Sequence, residues 1–163
     1  WQAAEQCGIQ PGDTVAVWGC GPVGLFAIQS CYLQGAGRVI AIDRFPERLR
    51  MARDVGGADV VNYEQVDDLV EYLKGETGGR GPDHVIDAVG MESHGHDLLF
   101  QADRIKQAAK LQLDRANVLR LAIQACAKGG TVSVPGVYAG LIDKFPFGQV
   151  FGKGLTIKCG QTH

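Results

Sequence analysis

Gly19, Gly21 and Gly24 stand in the pattern G-x-G-x-x-G, and an acid, Asp43, closes the next apolar run of the chain. Those residue types suit the binding of a dinucleotide. Gly19 permits a tight turn. Gly21, without a side chain, lets the backbone approach a pyrophosphate. Gly24 lets the following helix pack close to the strand before it. The helix start at Pro22, from Val23 onward, then offers unpaired N–H groups and the positive end of its dipole to phosphate. A carboxylate at Asp43 can accept ribose hydroxyls and repels a 2′-phosphate, so it favours NAD over NADP. Arg44, directly after it, is a group that can meet a 2′-phosphate. Arg48 is placed to reach the adenosine ribose or phosphate, or to stand solvated on its helix.

Other reactive residue types have plainer readings. Cys20 lies inside the glycine pattern, facing pyrophosphate and not substrate, and is read as a small space-filler. His94 and His96, near Glu92 and Asp97, could share a metal, but no third and fourth ligand stands at a recognisable spacing. His84 opens a strand at the end away from the glycines and is read as structural. Asp67 and Asp68 are read as solvated acids at a helix start. No Ser-His-Asp order, H-E-x-x-H or zinc-type cysteine cluster is present.

The elements that must position these residues alternate along the chain. Strands are expected at 13–18, 38–43, 59–61, 84–89, 131–135 and 155–159. Helices are expected at 22–35, 46–55, 66–74, capped by Gly75, and 115–128. The strands are continuous apolar runs, as in a parallel sheet buried on both faces. The expected fold class is therefore α/β: a doubly wound, six-stranded parallel Rossmann sheet of order 3-2-1-4-5-6 with helices on both faces. One stretch, about 91–113, breaks the rhythm and reads as an insertion. It either folds over the edge of the cofactor crevice or makes a surface excursion.

The bulk composition sets limits. The chain has 163 residues, 45% hydrophobic and 21% charged, with net charge −2. This is one globular domain, with no basic surface for nucleic acid and no apolar run to span a membrane. Cys7, Cys20, Cys31, Cys126 and Cys159 are scattered, which points to free thiols and a cytoplasmic setting. Trp1 in place of a starting methionine points to an excised part of a longer polypeptide.

Residues 10–24 (QPGDTVAVWGCGPVG) resemble the opening of the coenzyme domain of zinc-dependent, medium-chain alcohol dehydrogenases. Residues 48–53 (RLRMAR), Gly57-Ala58-Asp59 and Val61-Asn62-Tyr63 are similar to that family's second helix and third strand. Residues 83–90 (DHVIDAVG) and 129–136 (GGTVSVPG) match its fourth and fifth strands, and 90–96 (GMESHGH) points to the glutathione-independent formaldehyde dehydrogenase-like branch. The resemblance implies NAD as cofactor and an alcohol or aldehyde as substrate. It implies a catalytic zinc held in a separate domain, the last ligand just upstream of Trp1, and no catalytic residue or metal ligand here. Gly19, Gly21, Pro22 and Val23 would line the pyrophosphate and nicotinamide end, and Asp43 with Arg48 would hold the adenosine ribose. Val89 and Gly90 would flank the adenosine or central ribose. Pro135, Gly136 and Val137 would offer backbone groups near the carboxamide. A homodimer or tetramer would form through the edge strand 155–159. Two other classes compete: a non-catalytic NAD-sensing module, against which net charge −2 and the lack of a basic helix count, and another Rossmann nucleotide binder such as a methyltransferase, which a parallel sixth strand and a full G-x-G-x-x-G fit poorly.

Overall fold

The computed structural model describes residues 1–89, 118–138, 142 and 144–160. Six strands form one parallel sheet of order β3-β2-β1-β4-β5-β6. They are β1 (Thr14–Trp18), β2 (Arg38–Asp43), β3 (Asp59–Asn62), β4 (His84–Asp87), β5 (Thr131–Val134) and β6 (Thr156–Cys159). The expected sheet and its order are therefore present. The central strands are apolar because both faces are covered: Val15, Ala16, Val17, Val39, Ala41 and Val85 have no exposed surface.

Side chains alternate between the two faces, as the pleat requires. Val15, Val17, Val39, Ala41 and Ile86 join one core with α1 (Gln2–Cys7), α2 (Pro22–Leu33) and α3 (Pro46–Asp54). Ala16, Trp18, Ile40, Ile42, Val85 and Val132 join the other, with α4 (Leu69–Gly75), helical residues 118–125 (α5) and α6 (Phe147–Lys153).

The boundaries differ from expectation where a local bond decides them. α4 starts at Leu69, not Val66, because the Asp68 carboxylate accepts from Glu71 N at 3.0 Å and caps the helix there. Asn62 accepts from Glu64 N, and Tyr63–Gln65 turn as a 3-10 helix instead. Gly75 is the last helical residue of α4, and Glu76 is its cap. β4 ends at Asp87, short of Val89. Residues 115–117 of the fourth expected helix lie outside the described residues.

Two short helices have no counterpart in the sequence reading. At 6 and 7 residues they are too short to nucleate alone, so packing holds them. α1 buries Ala3, Ala4 and Cys7, and its Gln6 accepts from the fully buried Ser133 hydroxyl of β5 at 2.9 Å. α6 brings Lys153 to the end of α5. There its ammonium donates to the carbonyls of Ile123, Gln124 and Cys126 at 2.6–3.1 Å. A lysine from one helix thus satisfies the orphan carbonyls of another.

Candidate functional site

The glycine turn follows β1. Gly19 has φ +88°, a conformation that disfavours any side chain, and its N–H bonds Ile42 O at 2.9 Å. A methyl on Gly24 would lie 1.7 Å from Gly19 O, so helix and turn are in contact only because both residues are glycine. Gly21 is the N-cap of α2, and Pro22 occupies its first turn. A methyl on Gly21 would meet nothing nearer than Arg48 Nη1 at 3.9 Å. The space next to Gly21 at the helix start is therefore open, with the Arg48 guanidinium facing it.

Cys20 is fully buried in this turn. Burial pushes its thiol up to about 12, with the Asp43 charge adding to the rise and Arg48 opposing it. It fills space and is no thiolate at neutral pH.

Asp43 closes β2 and is almost wholly buried. Its carboxylate is already occupied by the protein. Oδ2 accepts from Cys20 N at 2.7 Å, and Oδ1 accepts from Arg44 N at 2.7 Å and Phe45 N at 3.1 Å. A carboxylate has about four acceptor positions, so roughly one is left, on Oδ2. Arg48 Nη1 stands 3.9 Å from that oxygen. The guanidiniums of Arg44 and Arg48 both lie over the Phe45 ring, at 4.9 and 4.7 Å from its centroid. Arg44 also faces Glu64 at 3.7 Å. The rim beside Asp43 is thus held by one aromatic ring and two cations.

Asp87 closes β4 beside Trp18 of β1 and has no exposed surface. Its Oδ1 accepts from Val89 N at 3.1 Å, its Oδ2 accepts from the Tyr138 hydroxyl, and its carbonyl accepts from Gly136 N at 3.2 Å. Burial pushes this carboxyl above the usual carboxylate range, against the pull of the Tyr138 and Val89 hydrogen bonds. Val89 also backs the glycine turn: a methyl on Gly19 would lie 3.1 Å from Val89 Cγ2.

The structure therefore gathers the predicted residues at the carboxyl ends of β1, β2, β4 and β5, where an open α/β sheet offers its crevice. Gly19, Gly21, Pro22, Val23 and Gly24 follow β1, Asp43 ends β2 with Arg44 and Arg48 after it, and Val89 follows β4. Pro135, Gly136 and Val137 follow β5. Gly90, the insertion 91–113 and the His94/His96 pair lie outside the described residues. Sequence reasoning missed Asp87 and Tyr138, although a lone acid in the apolar run His84–Asp87 was the available signal. His84 sits at the far end of the sheet, 3.1 Å from Asp13. A separate cavity of about 780 Å³ opens among α4, α5 and α6, and none of the predicted cofactor residues lines it. Among the described residues no group of three or more His, Cys, Asp or Glu is placed to hold a metal, so this donor set does not fit a catalytic zinc.

Residues 22–100 match the family model described as zinc-binding dehydrogenase. An uncharacterized zinc-type alcohol dehydrogenase-like protein, AdhB of Bacillus subtilis, is 43% identical over 98% of this chain and 41% of its own length. The glutathione-independent formaldehyde dehydrogenase of the same organism is 33% identical over 99% of this chain and 40% of its own. Among solved structures, the alcohol dehydrogenase TADH from Thermus sp. ATN1 superposes with TM-score 0.74 and 36% identity, covering 98% of this chain and 40% of that one. The chain thus spans about two-fifths of the length of these relatives.

Proposed function

We propose, because the chain belongs to the zinc-binding dehydrogenases as their Rossmann nucleotide-binding part, that its crevice holds NAD for hydride transfer by a zinc-type alcohol dehydrogenase. The observation that carries this reading is the open space before Gly21, set beside a strand-end carboxylate with one acceptor position left. Residues 1–163 would be a single domain of a longer protein, with the insertion at about 91–113.

Each residue then has a task. The first-turn amides of α2 bind the pyrophosphate. The remaining acceptor of Asp43 takes one ribose hydroxyl, and its charge opposes a 2′-phosphate. Arg48 closes the adenosine side. Val89 flanks the ribose, and Gly136 with Val137 presents backbone groups to the carboxamide. NAD, when bound, supplies the hydride acceptor. The zinc would be held by residues this chain does not supply, and the substrate would be a small alcohol or aldehyde. The finer placement in the formaldehyde dehydrogenase-like branch draws support from the 33% likeness over nearly the whole chain.

Two further proposals concern setting and assembly. Five free thiols fit a reducing compartment, hence the cytoplasm. Among the described residues no helix is long and apolar enough to cross a membrane. β6 is an edge strand, and Thr156 N and Gly160 N point inward to Gly130 O and Val134 O. By alternation, Ile157 N and Cys159 N point outward, free to pair with a second copy as a homodimer or as part of a tetramer. A monomer in light scattering at micromolar concentration would remove that proposal.

The nucleotide reading is tested by calorimetric titration with NADH and NADPH side by side. NADH should bind at least about tenfold tighter. Preference for NADPH would assign the rim to Arg44 and Arg48 over Asp43, and binding of neither would end the reading.

A further inference from the structure

We infer that Asp87 and Tyr138 are positioning residues for the nicotinamide half of the cofactor, the buried carboxylate holding the loop after β5 in its ligand-facing posture. The inference rests on the dinucleotide reading above.

The geometry is specific to one residue. Asp87 grips the loop twice, on either side of Val137. Its main-chain carbonyl takes Gly136 N at 3.2 Å, and its carboxylate takes the Tyr138 hydroxyl. Val137, half-exposed between these two anchors, is left facing outward. The other carboxylate oxygen takes Val89 N at 3.1 Å, so the turn after β4 is fixed by the same side chain. Val89 and Ala88 in turn lie against Gly19. One acid therefore joins the three loops that surround the crevice at the carboxyl ends of β1, β4 and β5.

Packing alone does not call for this residue. Asp87 has no exposed surface and lies between apolar strands, where an aliphatic side chain would be cheaper than a carboxylate. An acid at this point is instead suited to fix a loop that has no regular partner strand at that level. β5 ends at Val134, and the Asp87 bonds to Gly136 N and the Tyr138 hydroxyl fix two points of the path that follows.

The experiment uses the protein at its full natural length and two ligands. NADH spans the whole crevice; ADP-ribose lacks the nicotinamide. Tyr138→Phe removes the hydroxyl and keeps the ring. It should weaken NADH up to about tenfold, the scale of one lost hydrogen bond. ADP-ribose binding should stay within about twofold of wild type, which also reports that the fold is intact. Equal losses for the two ligands, or no loss for either, would overturn the inference and leave Tyr138 as packing. A wild-type protein that binds neither ligand would instead overturn the dinucleotide reading, and this inference with it.

Discussion

Asp43 and Asp87 end the two strands that flank β1, and both are buried, yet they are wired differently. Asp43 is held by backbone: two of its three N–H donors are the next two residues, and the third is in the glycine turn. Asp87 is held by one neighbouring N–H and by a phenol 51 residues away. The first carboxylate is held by its own chain neighbours and by the adjoining glycine turn. The second belongs to a long-range contact that only the finished sheet creates. Side by side, they show a crevice built half from local chemistry and half from topology.

The largest effect is expected at Asp43. Asp43→Ala strips three N–H groups of their acceptor, and the Cys20 amide is in a fully buried residue. Urea denaturation should show a loss of about 3 kcal/mol, since each buried donor left unpaired costs about 1–3 kcal/mol. A loss under about 1 kcal/mol would mean that the turn finds other acceptors, and that Asp43 is not its anchor.

Asp87 should differ in its pH response. Burial raises its carboxyl in the folded state, so the native protein holds a proton there that the unfolded chain has already released. Its contribution to stability is then greatest at low pH and declines as pH rises from the ordinary carboxylate value through the raised one. Asp87→Asn removes that titration. Its amide can still donate to the Tyr138 oxygen while its carbonyl accepts from Val89 N. The variant should therefore gain on wild type as pH rises across that window. A difference independent of pH would show that Asp87 titrates alike folded and unfolded.

The smallest effect is expected at Arg48. Its guanidinium is half-exposed and 3.9 Å from Asp43, so Arg48→Ala should change stability by less than about 0.5 kcal/mol. NADH affinity should nevertheless fall about threefold, as befits a group that closes the adenosine side. A loss of stability larger than the loss of affinity would make Arg48 a brace for Asp43.

The same division governs what could be read from the sequence. The strands, their order and the glycine turn were legible because they rest on apolar runs, fixed spacings and the special backbone of glycine. Asp43 was legible as a strand-end acid, but its bond from Cys20 N was not, because that depends on how the glycine turn curls over β2. Asp87 carried a signal, an acid in an apolar strand, yet nothing in the local sequence names Tyr138 as its partner. α1 and α6 were illegible for a related reason: six or seven residues carry too little periodicity, and their stability comes from Gln6 on Ser133 and Lys153 on α5.

The order of the strands also bears on timing. β1 pairs with β4 through Val15 and His84, and β4 with β5 through His84 and Thr131, so neighbours in the sheet are distant along the chain. Such non-local pairing is slow to form. The crevice draws on residues 19–24, 43–48, 87–89 and 135–138, and it does not exist in any shorter stretch of the molecule. On the proposed reading, nucleotide would therefore meet only chains that have finished folding. At a hundred times its Kd it would add about 2.7 kcal/mol, an increment shared by the whole sheet, so the cofactor would act as a late inspector of the fold as well as its cargo.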